Sequence, residues 1–220
     1  MSRFSQLVAA LVFVFGLAPA AWAEQPKTSR FEKEITGFEE ADKAKAPPKN
    51  AVLFVGSSSI RLWKLEQHFG GIPVINRGFG GSQIADSATY AHRIITKYEP
   101  KMIVFYAGDN DIASGKSPQQ VRSDFEALVK EVRSKLPKTP IVFIAIKPSP
   151  SRWKFFENQS KANALVADYC RKNEGLHFLD VVQPMLRDGQ PRPELFLKDQ
   201  LHLNEDGYRL WTELVKPLLK

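Results

Sequence analysis

Five apolar runs divide this 220-residue chain, at 51–55, 72–75, 102–106, 141–146 and 177–182. Four are nearly continuous rather than alternating, the pattern of strands buried on both faces of a parallel sheet. Between them lie helix-period stretches. Ile84, Ala88, Ala91 and Ile95 mark one apolar face, and Val121, Phe125, Leu128, Val129 and Val132 a second. Ala162, Leu165, Val166 and Tyr169 mark a third; Leu210, Trp211, Leu214, Val215 and Leu218 mark the last, with Asn204 placed to cap it. A weaker helical stretch at 61–68 links the first two strands. Such alternation predicts a three-layer α/β/α sandwich with right-handed crossovers. Ahead of the first strand, Phe31, Ile35 and Phe38 share one helical face until Ala46-Pro47-Pro48 stops the helix. Residues 24–50 read as an N-terminal helical arm, and 51–220 as the domain it packs on.

Residues 1–23 read as a signal peptide. Arg3 supplies a positive start, 7–21 is an apolar run broken only by Gly16 and Pro19, and Ala21-Trp22-Ala23 fits a small-x-small cleavage pattern before Glu24. The alternative is an uncleaved anchor, for which the run is short. The expectation is an exported protein, periplasmic or secreted, with no stable membrane insertion after cleavage. Cys170 is the only cysteine, so no intrachain disulfide can form; its place in an apolar-periodic helix makes it core filler. The net charge of +7 is spread over the chain rather than gathered into a stripe with aromatic platforms, which argues against nucleic acid as a partner.

In an open parallel sheet, ligands bind beyond the carboxyl ends of the strands. After the first run comes Gly56-Ser57-Ser58-Ser59, where a serine on a strand-to-helix turn can lift its hydroxyl above the sheet edge, or simply cap a helix. After the second comes Asn76-Arg77-Gly78-Phe79-Gly80-Gly81-Ser82, whose glycines permit close approach of backbone to a ligand. Its spacing is not that of a dinucleotide loop, and no Walker lysine follows. Gly108-Asp109-Asn110-Asp111 follows the third run and offers a short amide, or an Asx-turn. Asp199-Gln200-Leu201-His202 precedes the last helix. A carboxylate three residues before a histidine, on one helical turn, can fix the imidazole tautomer that leaves Nε2 as a base. Singly, each motif has an ordinary structural explanation. Together they supply the nucleophile, base, base orienter and oxyanion donors of acyl transfer.

From residue 51 to the C-terminus the chain resembles the SGNH/GDSL hydrolase superfamily, whose four blocks carry Ser, Gly, Asn and His. Gly56-Ser57-Ser58-Ser59 is similar to the G-D-S-x block, with Ser57 where the family has Asp. Asn76-x-Gly78-x-Gly80-Gly81, Gly108-x-Asn110-Asp111 and Asp199-x-x-His202 are similar to the other three. The resemblance implies a flavodoxin-like sheet of five parallel strands ordered 2-1-3-4-5. It implies ester hydrolysis without metal or cofactor. Ser58, His202 and Asp199 would then be the catalytic residues, and the Ser58 and Gly81 N–H groups with the Asn110 side chain the oxyanion hole. The substrate expected is a small-molecule or glycan ester, with small acyl groups such as acetyl favoured by the short loops. A lysophospholipid or thioester is the runner-up, and a catalytically silent glycan-binding module the alternative of another class.

His68, His92 and His177 lie at no metal-ligand spacing. The loop at 147–158 carries Arg152, Trp153, Lys154, Phe155 and Phe156 and leaves the same sheet edge. Trp153 and Phe155 are candidate walls of the substrate site; the competing reading packs these aromatics on the N-terminal helix.

Overall fold

Alternate residues of the central strands enter two separate cores. Leu53, Val55, Ile103 and Phe105 join one apolar cluster, whereas Val52, Phe54, Val104 and Tyr106 join the other. That is the two-residue period of a strand covered on both faces, and it explains why the apolar runs are nearly unbroken.

The protein is described by a computed structural model covering residues 30–219. The signal-peptide expectation at 1–23, and the start of the arm, lie outside the described residues. In chain order the elements are α1 (Glu32–Ala44), β1 (Val52–Gly56), α2 (Ser58–Arg61), α3 (Leu65–His68), β2 (Val74–Gly78), α4 (Ile84–Thr89), α5 (Ala91–Ile94) and β3 (Met102–Tyr106). They continue as α6 (Asp109–Ala113), α7 (Pro118–Arg133), β4 (Ile141–Ile144), α8 (Phe156–Lys172), β5 (Leu176–Leu179) and α9 (Glu205–Val215). The five strands form one parallel sheet in the order β2-β1-β3-β4-β5, as expected for this fold. Residues of α1, α4, α5, α7 and α8 cover one face, and residues of α2, α3 and α9 cover the other.

Local sequence explains the long helices. In α7, Ser117 caps the first turn by accepting from the Gln120 N–H at 3.1 Å, and Pro118 takes the first helical position, where no N–H is needed. Val121, Phe125, Leu128, Val129 and Val132 then bury one stripe. In α9, Asn204 accepts from the Gly207 N–H at 3.0 Å, and Tyr208, Trp211 and Val215 face the core. Cys170 is buried in α8, and desolvation pushes its thiol up to about 12, so it fills space rather than reacts.

The structure differs from the sequence reading in several places. The stretch at 84–95 is two short helices broken at Tyr90, whose φ and ψ of −97° and 7° leave the helical range. Both halves still bury the same face, which is why the spacing looked continuous. The stretch at 61–68 likewise splits into the end of α2 and α3. β4 and β5 pair only to Ile144 and Leu179, so the buried residues Ala145 and Ile146 follow the strand rather than belong to it.

The helix α1 is tied down by both apolar and charged contacts. Phe31 meets Phe79 edge-on at 4.9 Å between centroids. Arg93 pairs with Glu32 and Glu39 at 2.7 Å each, and Arg77 pairs with Asp42.

Candidate active site

The strand-to-helix turn after β1 is built from two glycines that nothing larger can replace. Gly56 has φ of +135°, and a Cβ there would lie 1.9 Å from the Tyr106 carbonyl oxygen. Gly78 ends β2, and a Cβ there would lie 2.3 Å from the Arg61 backbone nitrogen. The bareness of Gly56 lets the end of β1 lie against Tyr106 of β3, and that of Gly78 lets α2 sit directly on the sheet edge. Asn76 fixes it there: its Nδ2 donates to the carbonyls of Ile60 at 2.8 Å and Trp63 at 3.2 Å, and its Oδ1 accepts from the Gly78 N–H. From the far side, the Tyr208 hydroxyl of α9 donates to the Ser59 carbonyl at 2.9 Å. Ser58 is the first residue of α2. Its N–H is therefore among those a helix leaves without an intrahelical acceptor.

His202 reaches this serine from the loop before α9. Its Nε2 lies 3.0 Å from Ser58 Oγ, and its Nδ1 lies 2.6 Å from Asp199 Oδ2. The Asp–His pair is not on a helical turn, which corrects the expectation from its spacing. Asp199 Oδ1 accepts from the backbone N–H groups of Leu201 at 2.9 Å and His202 at 3.0 Å, closing a side-chain turn of its own. Gln200 takes a left-handed φ of +55° within it. The Leu197 N–H donates to the His202 carbonyl at 2.7 Å and shuts the loop. Burial opposes ionisation of Asp199, but the His202 ring and the two N–H groups outweigh it and hold the carboxyl at about 2. With a carboxylate on Nδ1, the proton belongs on Nδ1, and Nε2 is free to accept from the Ser58 hydroxyl.

Gly81 and Asn110 lie on the neighbouring loops. Gly81 has φ of +76°, and its carbonyl accepts from Arg30. Asn110 is the second residue of α6, which starts from Gly108 in the left-handed region. The Asn110 Nδ2 donates to the Ser82 carbonyl at 2.9 Å, so the amide bridges the β2 loop and the β3 loop. The bond this amide makes is to the glycine-bearing loop beside the turn after β1.

Beneath Asn110 lies a buried charge cluster that the sequence reading missed. Asp109 Oδ2 is 3.1 Å from Lys147 Nζ, and its Oδ1 is 2.8 Å from Arg152 Nη1. Lys147 also donates to the Tyr106 hydroxyl at 3.1 Å. Lys147 is 1% exposed and Asp109 5%. Burial raises the cost of the Asp109 charge, yet the two cations keep its pKa below the ordinary carboxylate value. The one sequence signal for this was a lysine directly following an unbroken apolar run.

Of the two candidate wall residues, Trp153 stacks on Phe156 at 4.2 Å and is half-buried. Phe155 packs against the core cluster on the α7–α8 face of the sheet. Neither makes an aromatic pair with α1.

The fold and its sheet-edge loops are those of α/β/α ester hydrolases. The sequence pattern of the GDSL-like Lipase/Acylhydrolase family matches residues 59–210, and the chain belongs to that family, which makes it an ester hydrolase. It is 25% identical over 185 residues to platelet-activating factor acetylhydrolase IB subunit alpha2 of Gallus gallus, covering 76% of this chain and 73% of that one. The fold is similar to a GDSL-like lipase from Bacteroides thetaiotaomicron, with a TM-score of 0.72 at 19% identity, covering 84% of this chain and 96% of that one. It is also similar to a family 3 carbohydrate esterase from Clostridium thermocellum, with a TM-score of 0.61 at 15% identity, covering 78% and 98%. Among the described residues, no helix is long and apolar enough to cross a membrane.

Proposed function

We propose that this chain is an exported serine esterase that removes small acyl groups, acetyl foremost, from carbohydrate esters. The observation that carries the reading is the 3.0 Å separation of Ser58 Oγ from His202 Nε2, with Asp199 on the other ring nitrogen. In this reading His202 Nε2 takes the hydroxyl proton as Ser58 Oγ bonds to the ester carbonyl carbon. Asp199 stabilises the imidazolium and does not take its proton. The N–H groups of Ser58 and Gly81 and the Asn110 Nδ2 donate to the oxyanion. The ester C–O bond then breaks, and His202 returns the proton to the leaving alcohol. Water repeats the sequence on the acyl-enzyme: His202 takes its proton, the acid departs, and Ser58 regains its hydrogen.

The preference for acetyl rests on similarity to a protein named an acetylhydrolase, and the carbohydrate reading on a fold shared with a carbohydrate esterase. Export rests on Arg3, the apolar run at 7–21 and Ala21-Trp22-Ala23. The test of specificity is a series of aryl esters of rising acyl length, run beside acetylated sugars. The reading expects kcat/KM to fall as the acyl chain grows and acetylated sugars to be deacetylated. A rate rising with chain length would point to a lysophospholipase or thioesterase instead. N-terminal sequencing of the exported protein should begin at Glu24; a start at Met1 would contradict cleavage.

A further inference from the structure

Asn110 is useful as an oxyanion donor only in one of its two amide orientations. Rotated by half a turn, it would present Oδ1 to the developing negative charge. Two contacts bear on that choice. The Ser82 carbonyl can only accept, and it takes a hydrogen from Asn110 Nδ2 at 2.9 Å. The Arg152 guanidinium can only donate, and its Nη2 gives a hydrogen to Asn110 Oδ1 at 3.0 Å. A flipped amide would set NH₂ against guanidinium and oxygen against oxygen, losing both bonds.

Arg152 is itself held. Its Nη1 lies 2.8 Å from Asp109 Oδ1, and Asp109 is anchored from behind by Lys147, at 3.1 Å and almost wholly buried. The turn that carries it is tied to the loop of the base, since the Ser151 N–H donates to the Gln200 carbonyl at 3.1 Å, beside Asp199. One segment thus touches both the candidate oxyanion donor and the loop that carries the Asp–His pair.

We infer that Arg152 is a positioning residue for ester hydrolysis: its guanidinium locks the Asn110 amide with Nδ2 toward the reacting oxygen, and its charge polarises that amide into a stronger donor. Asp109 and Lys147 set the guanidinium in place. The inference rests on the proposed oxyanion role of Asn110. A guanidinium suits the task because its planar fork meets the Asp109 and Asn110 oxygens at once, whereas an ammonium is a point charge.

The experiment is a double-mutant cycle on aryl acetate hydrolysis by the full mature chain, with Arg152→Ala, Asn110→Ala and the pair together. Arg152→Ala should lower kcat roughly 10- to 100-fold with KM within about twofold, less than the roughly 10²–10³ expected for removing the donor itself. In the Asn110→Ala background, Arg152→Ala should cost nothing further. Arg152→Lys keeps a charge beside Asp109, should melt like wild type, and should still lose most of the rate. An unchanged kcat in Arg152→Ala and Arg152→Lys, with Asn110→Ala crippled, overturns the inference and leaves the site reading standing. Equal losses from Arg152→Ala with and without Asn110 also overturn it, because the residue would then act elsewhere. An unchanged kcat in Asn110→Ala overturns the oxyanion reading first, and this inference with it.

Discussion

His202 Nε2 stands 3.0 Å from Ser58 Oγ although the two residues are 144 positions apart in the chain. Neither element alone would hold that distance. Ser58 is fixed by Gly78, which lets α2 touch the sheet, and by Asn76 and Tyr208 on either side of it. His202 is fixed by a loop that Asp199 folds with its own carboxylate. The separation is that of a hydrogen bond ready for proton transfer.

Asn110→Ala should lower kcat on the order of 10²–10³ with little change in KM, the cost of one oxyanion donor. Its amide also bridges two loops, so thermal melting should be followed alongside the kinetics. A drop in kcat with an unchanged melt supports the catalytic role; an unchanged rate rejects it.

The Asp199 carboxyl is held at about 2, below its ordinary value of 3.8. A lowered folded pKa contributes stability that is present above the unfolded value and lost as pH falls through the folded one. Wild type should therefore melt higher than Asp199→Asn above about pH 4, and the gap should close as pH falls toward 2. Melting curves of both proteins across that range check the sign. A gap that widened on acidification would contradict the pairing. In activity, Asp199→Asn should lose on the order of 10⁴ in kcat if it upsets the imidazole tautomer as the corresponding change does in Ser-His-Asp triads.

Asp109→Ala would leave Lys147 buried and short of its carboxylate. Removing one partner of a buried pair typically costs about 3–5 kcal/mol, which urea unfolding would read directly. Adding Lys147→Met to Asp109→Ala should recover part of that loss, since an apolar side chain of similar length carries no uncompensated charge. A double variant no more stable than the single one would contradict this account of the cluster.

Gly56→Ala should fail to reach the native fold, or lose more than about 4 kcal/mol, because its Cβ has no room beside the Tyr106 carbonyl and its φ of +135° disfavours any side chain. Soluble expression and chemical denaturation test this. A near-wild-type Gly56→Ala would mean that the end of β1 can move away from the Tyr106 carbonyl without harm.

Much of this architecture was legible in the sequence, for a physical reason. Strands covered on both faces must be apolar on both faces, so Leu53 and Phe54 announce β1 even though they point into different cores. The loops carrying Ser58, Gly81 and Asn110 follow strands β1, β2 and β3, where the chemistry of an open parallel sheet is expected. The three-residue spacing of Asp199 and His202 fits a helical turn as well as a side-chain turn, and only the bonds of the carboxylate decide between them. The break at Tyr90 left no mark, since the apolar face resumes in register. The Asp109 cluster left only the mark of a lysine directly after an apolar run, for another reason. A single Asp, Lys or Arg in a sequence looks like a solvated charge, and only the fold brings Tyr106, Asp109, Lys147 and Arg152 together under Asn110.

The most direct measurement is covalent labelling by a fluorophosphonate probe, which reacts only with an activated serine. Intact-mass and peptide analysis of the wild-type chain should place one adduct on Ser58, and Ser58→Ala and His202→Ala should take up none while folding normally. A wild-type chain that resists the probe, or one labelled equally well after loss of Ser58, would contradict the account.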